Sequence, residues 1–220
     1  MKRIYIASSN RGKLRDFVGA AQGTVEILPV PEFSSLPPVE EDGTTFEENA
    51  RKKAEYYSRI VPEEMVVADD SGLEVEALGG APGVHSARYA TADKSQNASD
   101  AANNERLLRE LSNMPEEERR ARFVCVIAAA RDGKAVATFR GEAEGRILHA
   151  ARGSGGFGYD PLFLVPSLSK TFAELTAEEK ARVSHRGQAF SKFLNWITRL
   201  GIAGERHRSR PACGSGGLRT

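Results

Sequence analysis

The spacing of apolar residues changes repeatedly along the chain, and each change predicts an element. Ile4-Tyr5-Ile6 is a short apolar run suited to a strand, Ser8 to Lys13 is a polar turn, and Leu14, Phe17, Val18 and Ala21 then recur at helical intervals. A second short strand is expected around Val25 to Leu28, followed by a proline-rich loop from Pro29 to Pro38. Thr45 and Glu48 have capping-box spacing, which predicts a helix start, and Phe46, Ala50, Ala54, Tyr57 and Val61 give that helix a buried face. Met65 to Ala68 reads as a buried strand that delivers Asp69-Asp70-Ser71-Gly72 at its end, after which Leu73, Val75 and Ala77 alternate as in a strand.

The second half has a different rhythm. Gly79 to Gly83 is a loop, and Asp100 to Leu111 is a polar helix carrying Leu107, Leu108 and Leu111. Two long strands, Arg122 to Ala130 and Ala135 to Glu142, are joined by Asp132-Gly133, a hairpin signal that predicts antiparallel pairing. The last helix is expected from about Ser184 to Leu200, with a core stripe of Phe190, Phe193, Leu194, Ile197 and Leu200 and Trp196 beside it. From Gly201 onward arginine, glycine, serine and proline dominate. The expected organisation is a folded domain over 1–203 and a disordered basic tail over 204–220.

Composition narrows the possibilities. A chain of 220 residues can bury an ample core, as one large domain or as two lobes sharing a sheet. Its two cysteines, Cys125 in an apolar run and Cys213 in the polar tail, lack metal-ligand spacing, which points to a reducing compartment and argues against zinc. A net charge of +1 with interspersed signs leaves no global footprint for nucleic acid or membrane. No segment approaches transmembrane length, and the apolar stretch after Lys2-Arg3 is too short for a secretory signal. A cytoplasmic protein acting on a small molecule is expected, without a nucleic-acid or membrane partner.

Four segments carry candidate chemistry. Ser8-Ser9-Asn10-Arg11-Gly12-Lys13 joins a strand to a helix, where backbone N–H groups and the helix dipole favour a phosphate and Lys13 and Arg11 add positive charge; an ordinary capped turn is the alternative. It lacks the glycines and terminal Lys-Ser/Thr of a Walker A loop, which disfavours a P-loop ATPase or GTPase. Asp69-Asp70, with Glu40-Glu41-Asp42 upstream, could converge on Mg²⁺, which takes one or two protein carboxylates together with water and phosphate oxygens. Ser154-Gly155-Gly156-Phe157-Gly158-Tyr159-Asp160-Pro161 combines close backbone approach, aromatic faces for a base and a carboxylate acceptor. Lys180, Ser184, His185 and Arg186 group donors at a helix start, a position that suits an anionic or carbonyl-bearing partner. Arg88 is a further candidate phosphate contact, whereas His85, His149 and His207 read as surface or loop residues.

In their order and spacing these segments resemble the inosine triphosphate pyrophosphatase family, and within it the bacterial dITP/XTP pyrophosphatases. The resemblance is carried by Ser8-x-Asn10-x-x-Lys13, Ala68-Asp69-Asp70-Ser71-Gly72-Leu73, Leu78-Gly79-Gly80-Ala81-Pro82-Gly83-Val84 with Ser86-Ala87-Arg88-Tyr89, Gly155 to Pro161, and Ser184-His185-Arg186-Gly187. It implies an α/β fold of two lobes around an elongated mixed β-sheet with a central nucleotide cleft, a homodimer and a requirement for Mg²⁺. It also implies a house-cleaning reaction that hydrolyses dITP, ITP or XTP to the monophosphate and pyrophosphate before such nucleotides enter DNA or RNA. Carried onto this sequence, the triphosphate contacts fall on Ser8, Asn10 and Lys13, within a candidate substrate-binding run of Ser8, Ser9, Asn10, Arg11, Gly12 and Lys13, and a further substrate contact falls on Ser71. Asp70 is then metal ligand and catalytic base, Lys13 a catalytic cation, and Glu41, or its neighbour Glu40, the second metal ligand. The base pocket falls on Phe157, Gly158, Tyr159 and Asp160 with Lys180, His185 and Arg186.

The chemistry agrees with that implication. Splitting a triphosphate between its α and β phosphorus atoms needs an in-line water and cations that neutralise the leaving pyrophosphate. A Mg²⁺ on Asp70 would lower that carboxylate's pKa, so a metal-activated water oriented by a neighbouring carboxylate competes with Asp70 as the base. Donors aimed at the 6-carbonyl of hypoxanthine or xanthine would face the amino group of adenine, and such sites discriminate by ~10⁴ or more. A nucleotide sensor or RNA-binding module using Arg206, Arg208 and Arg210 is the alternative from another class. Its tail lacks aromatic residues for stacking, and a sensor has no need of the Asp69-Asp70 site.

Overall fold

In the computed structural model, which describes residues 2–208 apart from Gln22, Lys94 and Ser95 and gives 201–208 as backbone only, one mixed sheet organises the chain. Its strands are β1 (Lys2–Ile6), β2 (Val25–Pro29), β3 (Met65–Val75), β4 (Arg120–Arg131), β5 (Lys134–Ile147), β6 (Phe163–Val165) and β7 (Lys170–Thr171). They lie in the order β2-β1-β3-β4-β5-β6-β7. β1 pairs parallel with β2 and β3, and the later neighbours pair antiparallel. The helices are α1 (Arg11–Ala21), α2 (Phe46–Tyr57), α3 (Asp100–Glu110), α4 (Ala177–Val183) and α5 (His185–Arg208).

β3 positions the site. It runs unbroken from Met65 to Val75 and pairs with β4 from Val66 opposite Ala130 to Val75 opposite Ala121. The expectation that the strand stops at Ala68 is therefore corrected: the two aspartates lie inside it. Asp, Ser and Gly have poor strand propensity, but a continuous ladder on β4 overrides it. Side chains alternate along a strand, so Val67, Asp69 and Ser71 share one face of the sheet while Ala68 and Asp70 share the other.

Each face is covered by its own layer. α1 and α5 pack over the first, where Ile4, Ile6, Phe17, Val67, Cys125, Ile127, Phe190 and Phe193 form one buried cluster. Burying each of these phenylalanines contributes about 1.5–3 kcal/mol relative to leaving it exposed. α2 packs over the second face, with Phe46, Ala50 and Ala54 on Val66, Ala68, Val124 and Val126. The far ends of β3, β4 and β5 run on into a second lobe, where Leu73, Phe123, Ile147, Phe163 and Phe172 meet Leu107 and Leu111 from the α3 region. The two-lobed mixed sheet expected from the sequence is thus observed.

Several boundaries move. α2 ends at Tyr57, and Val61 reaches the same core from the following turn, because Pro62 disfavours helix in the residue before it. Val18 and Leu200 are 59% and 47% exposed, so the buried stripes of α1 and α5 are narrower than the apolar pattern suggested. Ala77 belongs to a 3₁₀ turn, Glu76–Leu78, that ends at Gly79 with φ 62°, not to a strand. α4 is not among the helices the apolar spacing predicts, although Thr176 and Glu179 form a capping box at its start. α5 continues as helix through Arg208, and the rest of the expected tail, 209–220, lies outside the described residues. No described helix is long and apolar enough to cross a membrane.

Candidate active site

A cleft of about 950 Å³ opens where the lobes meet, lined by the turn before α1, the 38–43 loop, the middle of β3, the 84–88 turn, the Phe157–Asp160 loop and the start of α5. The turn before α1 is ordered by its own side chains. The Asn10 Oδ1 atom accepts from the N–H groups of Gly12 (2.9 Å) and Lys13 (3.1 Å), capping the helix, and Ser8 Oγ accepts from the Asn10 N–H at 3.3 Å. Two N–H groups expected to be free for phosphate are therefore already bonded. Ser8, Ser9, Asn10 and Lys13 line the cleft. Arg11 and Gly12 are not among its lining residues: Arg11 points outward at the first helical position, and Gly12 lies beneath the Phe157 ring.

The two aspartates have opposite surroundings. On the α1/α5 face, Asp69 meets Lys13 Nζ at 2.9 Å and Arg186 Nε at 3.7 Å, and Ser71 Oγ donates to it at 3.2 Å. Complete burial disfavours its charge, but Lys13, Arg186 and Lys53 outweigh that and hold its pKa at about 2. Asp70, on the α2 face, accepts from Asn49 Nδ2 at 3.0 Å and from the Ser71 N–H at 2.9 Å. Its nearest cation, Lys53 Nζ, is 3.9 Å away and also lies 3.1 Å from Glu41. Burial, helped by the Glu41 charge, raises the Asp70 pKa to about 6 against the pull of Lys53.

This division corrects the idea that all the acidic residues gather on one ion. Asp69 is committed to cations on the other face, and Asp42 pairs outward with Lys52. Glu40 is exposed at the rim, whereas Glu41 shares Lys53 with Asp70. Among the described residues no group of three His, Cys, Asp or Glu side chains forms a metal cage. Asp70 and Glu41 nevertheless converge on a point already occupied by an ammonium. That is the donor set Mg²⁺ accepts when phosphate and water complete its shell. Arg88 lines the cleft too, and it donates to the Glu41 carbonyl at 2.8 Å, pinning the loop that carries the carboxylate.

The opposite end is built from paired charges and rings. Arg186 is buried and donates to Asp16 Oδ2 at 2.7 Å and to Ser71 Oγ at 2.9 Å. Asp160 accepts from Lys180 Nζ at 2.6 Å and from the Phe157 N–H at 2.9 Å; burial raises its pKa while Lys180 opposes the shift. Lys180 is absent from the lining because this carboxylate holds it behind the Phe157 ring, whose centroid is 5.1 Å from its Nζ. His185 stacks on Phe123 with centroids 4.7 Å apart, and its Nδ1 is buried without a partner. Burial, together with Arg186 and Lys180, lowers the pKa of His185 well below its ordinary value, so the imidazole is neutral. Tyr159 is a core residue more than a stacking platform: it is buried, and its hydroxyl donates to the Ser86 carbonyl at 2.8 Å. Phe157, half-buried, is the ring that borders the cleft, and it closes onto Gly12, where a Cβ would come within 2.5 Å of it.

Asn49, Lys53 and Asp16 were not singled out in the sequence. Asn49 and Lys53 stand four residues apart on the buried face of α2, polar interruptions of an apolar helical stripe, and that was the available signal. Asp16 sits one turn beyond Lys13 on α1, beside both Arg186 and Lys180. His149 is exposed, as expected for a loop histidine, and the side chain of His207 lies outside the described residues.

The family model of the Ham1 family matches residues 4–196, a span that contains every segment of this cleft. The chain belongs to the Ham1 family. Among Ham1 relatives, the dITP/XTP pyrophosphatase of Acidobacterium capsulatum is 51% identical over 196 residues, covering 87% of this chain and 96% of that protein. The dITP/XTP pyrophosphatase of Geobacter sulfurreducens is 50% identical over 205 residues, 92% of this chain and all of its own length. The solved structure of the Staphylococcus aureus Ham1 protein superposes with a TM-score of 0.77 at 43% identity, over 90% of this chain and 100% of that one. The Ham1 fold and the family resemblance drawn from the motifs are both borne out.

Proposed function

We propose that this Ham1 chain is a Mg²⁺-dependent pyrophosphatase that hydrolyses dITP, ITP or XTP to the monophosphate and pyrophosphate; dITP and XTP are the substrates in the names of its relatives from Acidobacterium and Geobacter. The observation that carries the reading is the single cleft joining Lys13 and the Asp70–Glu41 pair to a recess of fixed donors around Phe157 and Arg186. Asp70 and Glu41 would hold the metal, which when bound neutralises phosphate charge and lowers the pKa of a coordinated water. Lys13 exchanges Asp69 for phosphate oxygens, and Asn10 keeps the turn rigid as it does so. Ser71 links the ends, since its N–H fixes Asp70 and its hydroxyl bridges Arg186 and Asp69.

At the base end, Phe157 offers a stacking face, and Arg186 and neutral His185 supply hydrogen-bond donors suited to a 6-carbonyl. Adenine would present an amino group to the same donors and leave them unpaired. The resemblance also supports a cytoplasmic location and a homodimer; sedimentation of the purified protein tests the homodimer. The function is tested by pyrophosphate release from ITP and ATP with Mg²⁺ and with chelator. ITP should be preferred by orders of magnitude, with activity lost in chelator. Comparable turnover of ATP, or release of single phosphates, would overturn the reading.

A further inference from the structure

We infer that Asp100 and Asn104, on the first turns of α3, are positioning residues for the base end of the cleft, acting by gripping both polar groups of the Gly158 backbone. Asp100 Oδ2 accepts from the Gly158 N–H at 2.7 Å, and Asn104 Nδ2 donates to the Gly158 carbonyl at 3.0 Å. The grip matters because nothing regular holds this loop. Residues 153–158 form neither helix nor strand, and Gly153, Gly156 and Gly158 have φ of 87°, 75° and 61°. Glycine enters that region without steric cost but has no preference for it, so the conformation must be imposed by partners. Gly158 directly follows Phe157, and fixing its two peptide groups fixes the plane in which the Phe157 ring meets a base.

α3 is suited to be the fixed part. Leu107 is completely buried, and Ser99 caps the helix by accepting from the Ala102 N–H. The same helix holds the neighbouring turn, since Asn103 Oδ1 accepts from the Ala90 N–H at 2.8 Å and its Nδ2 donates to the Ala87 carbonyl at 3.2 Å. The Tyr159 hydroxyl on the Ser86 carbonyl then ties the two held loops together. Packing gives Asn104 no reason to be polar: its Oδ1 is buried without a partner. A leucine there would relieve that atom and lose only the bond to Gly158.

The inference rests on the cleft being a nucleoside triphosphate site, and the experiment separates the two. Amide hydrogen exchange of the free full-length protein reads the grip directly: Asp100→Ala should speed exchange in the 155–160 segment about tenfold. Exchange in β3 and β4 should not change, and Asp100→Asn, which keeps an acceptor, should restore protection. In kinetics, Asp100→Ala and Asn104→Leu should each raise KM for ITP about tenfold, the scale of one lost charge-assisted or buried hydrogen bond. kcat should fall less than threefold, and Asn104→Leu should not lower the melting temperature. Inhibition by inorganic tripolyphosphate, which lacks a base, should be unchanged in both. Unaltered exchange and KM would overturn the grip, as would an equal loss of tripolyphosphate binding. Wild-type protein that releases no pyrophosphate from ITP would instead overturn the reading of the cleft on which the inference rests.

Discussion

The two ends of the cleft balance charge in opposite ways. Around Arg186, three cations (Lys13, Lys180 and Arg186) face three carboxylates (Asp16, Asp69 and Asp160), each within ion-pair distance of a partner. Around Asp70, two carboxylates share one lysine. The first end is neutral before any ligand arrives, which suits recognition of an uncharged base by Arg186 and its paired neighbours. The second carries an unbalanced negative charge in a buried place, which suits a cation that arrives with the substrate. Recognition and reactivity are thus separated along one strand, at residues that are immediate neighbours.

The largest expected effect comes from breaking the unbalanced end. Asp70→Asn should reduce ITP turnover by roughly 10²–10⁴-fold, the usual scale for losing a catalytic carboxylate, without a fall in melting temperature; wild-type rates would remove Asp70 from the reaction. Breaking the balanced end should do the reverse to stability. Arg186→Ala removes the 2.7 Å partner of Asp16 and one of the cations on Asp69, which keeps Lys13, and should cost about 1.5–3 kcal/mol in denaturant unfolding. A variant as stable as wild type would show that those charges are solvated, not paired. Among survivors, a fall in kcat/KM for ITP matched by an equal fall for ATP would assign the arginine to phosphate.

Titration sharpens the contrast. Asp70 has a folded pKa of about 6 against an ordinary 3.8, so the stability it contributes is complete below about pH 4 and is lost as pH rises through 6. Asp69, at about 2, contributes stability that is present above 3.8 and lost as pH falls through 2. In chelator, Asp70→Asn should abolish the decline in stability between pH 4 and 7, whereas Asp69→Asn should lower stability at neutral pH. Parallel pH profiles for the two variants would refute the division. Smaller effects follow at the base. Phe157→Ala should weaken ITP and ATP alike by about 1–3 kcal/mol, as loss of stacking does. Tyr159→Phe, which removes only the bond to Ser86, should cost about 1 kcal/mol of stability and leave selectivity intact.

Local signals made much of this visible in the sequence. The polar turn after Ile6, the Thr45–Glu48 box and the Asp132-Gly133 hairpin each act through neighbours in the chain, and the structure keeps all three. The Ser184 helix start was equally legible, since its hydroxyl accepts from the Gly187 N–H. What could not be read depends on partners distant in sequence. Asp69 and Asp70 looked like the end of a strand because their propensities are poor, and only the β4 ladder carries the strand through them. Arg186 looked like a free donor, yet its partner Asp16 is 170 residues away. Lys53 was hidden in another sense: a lysine in an apolar stripe gives no hint of the carboxylates it will meet.

The unbroken course of β3 makes the two aspartates a parity device. Inheritance can exchange residues one at a time, but a single-residue insertion between Met65 and Asp69 that preserved pairing would turn every later side chain to the opposite face. The carboxylate that should meet Lys53 would then be neutralised by Lys13, and the quiet one would be left facing the reaction. An insertion of two would restore the order. Length variation in homologous chains should therefore fall outside this strand, or arrive in even steps.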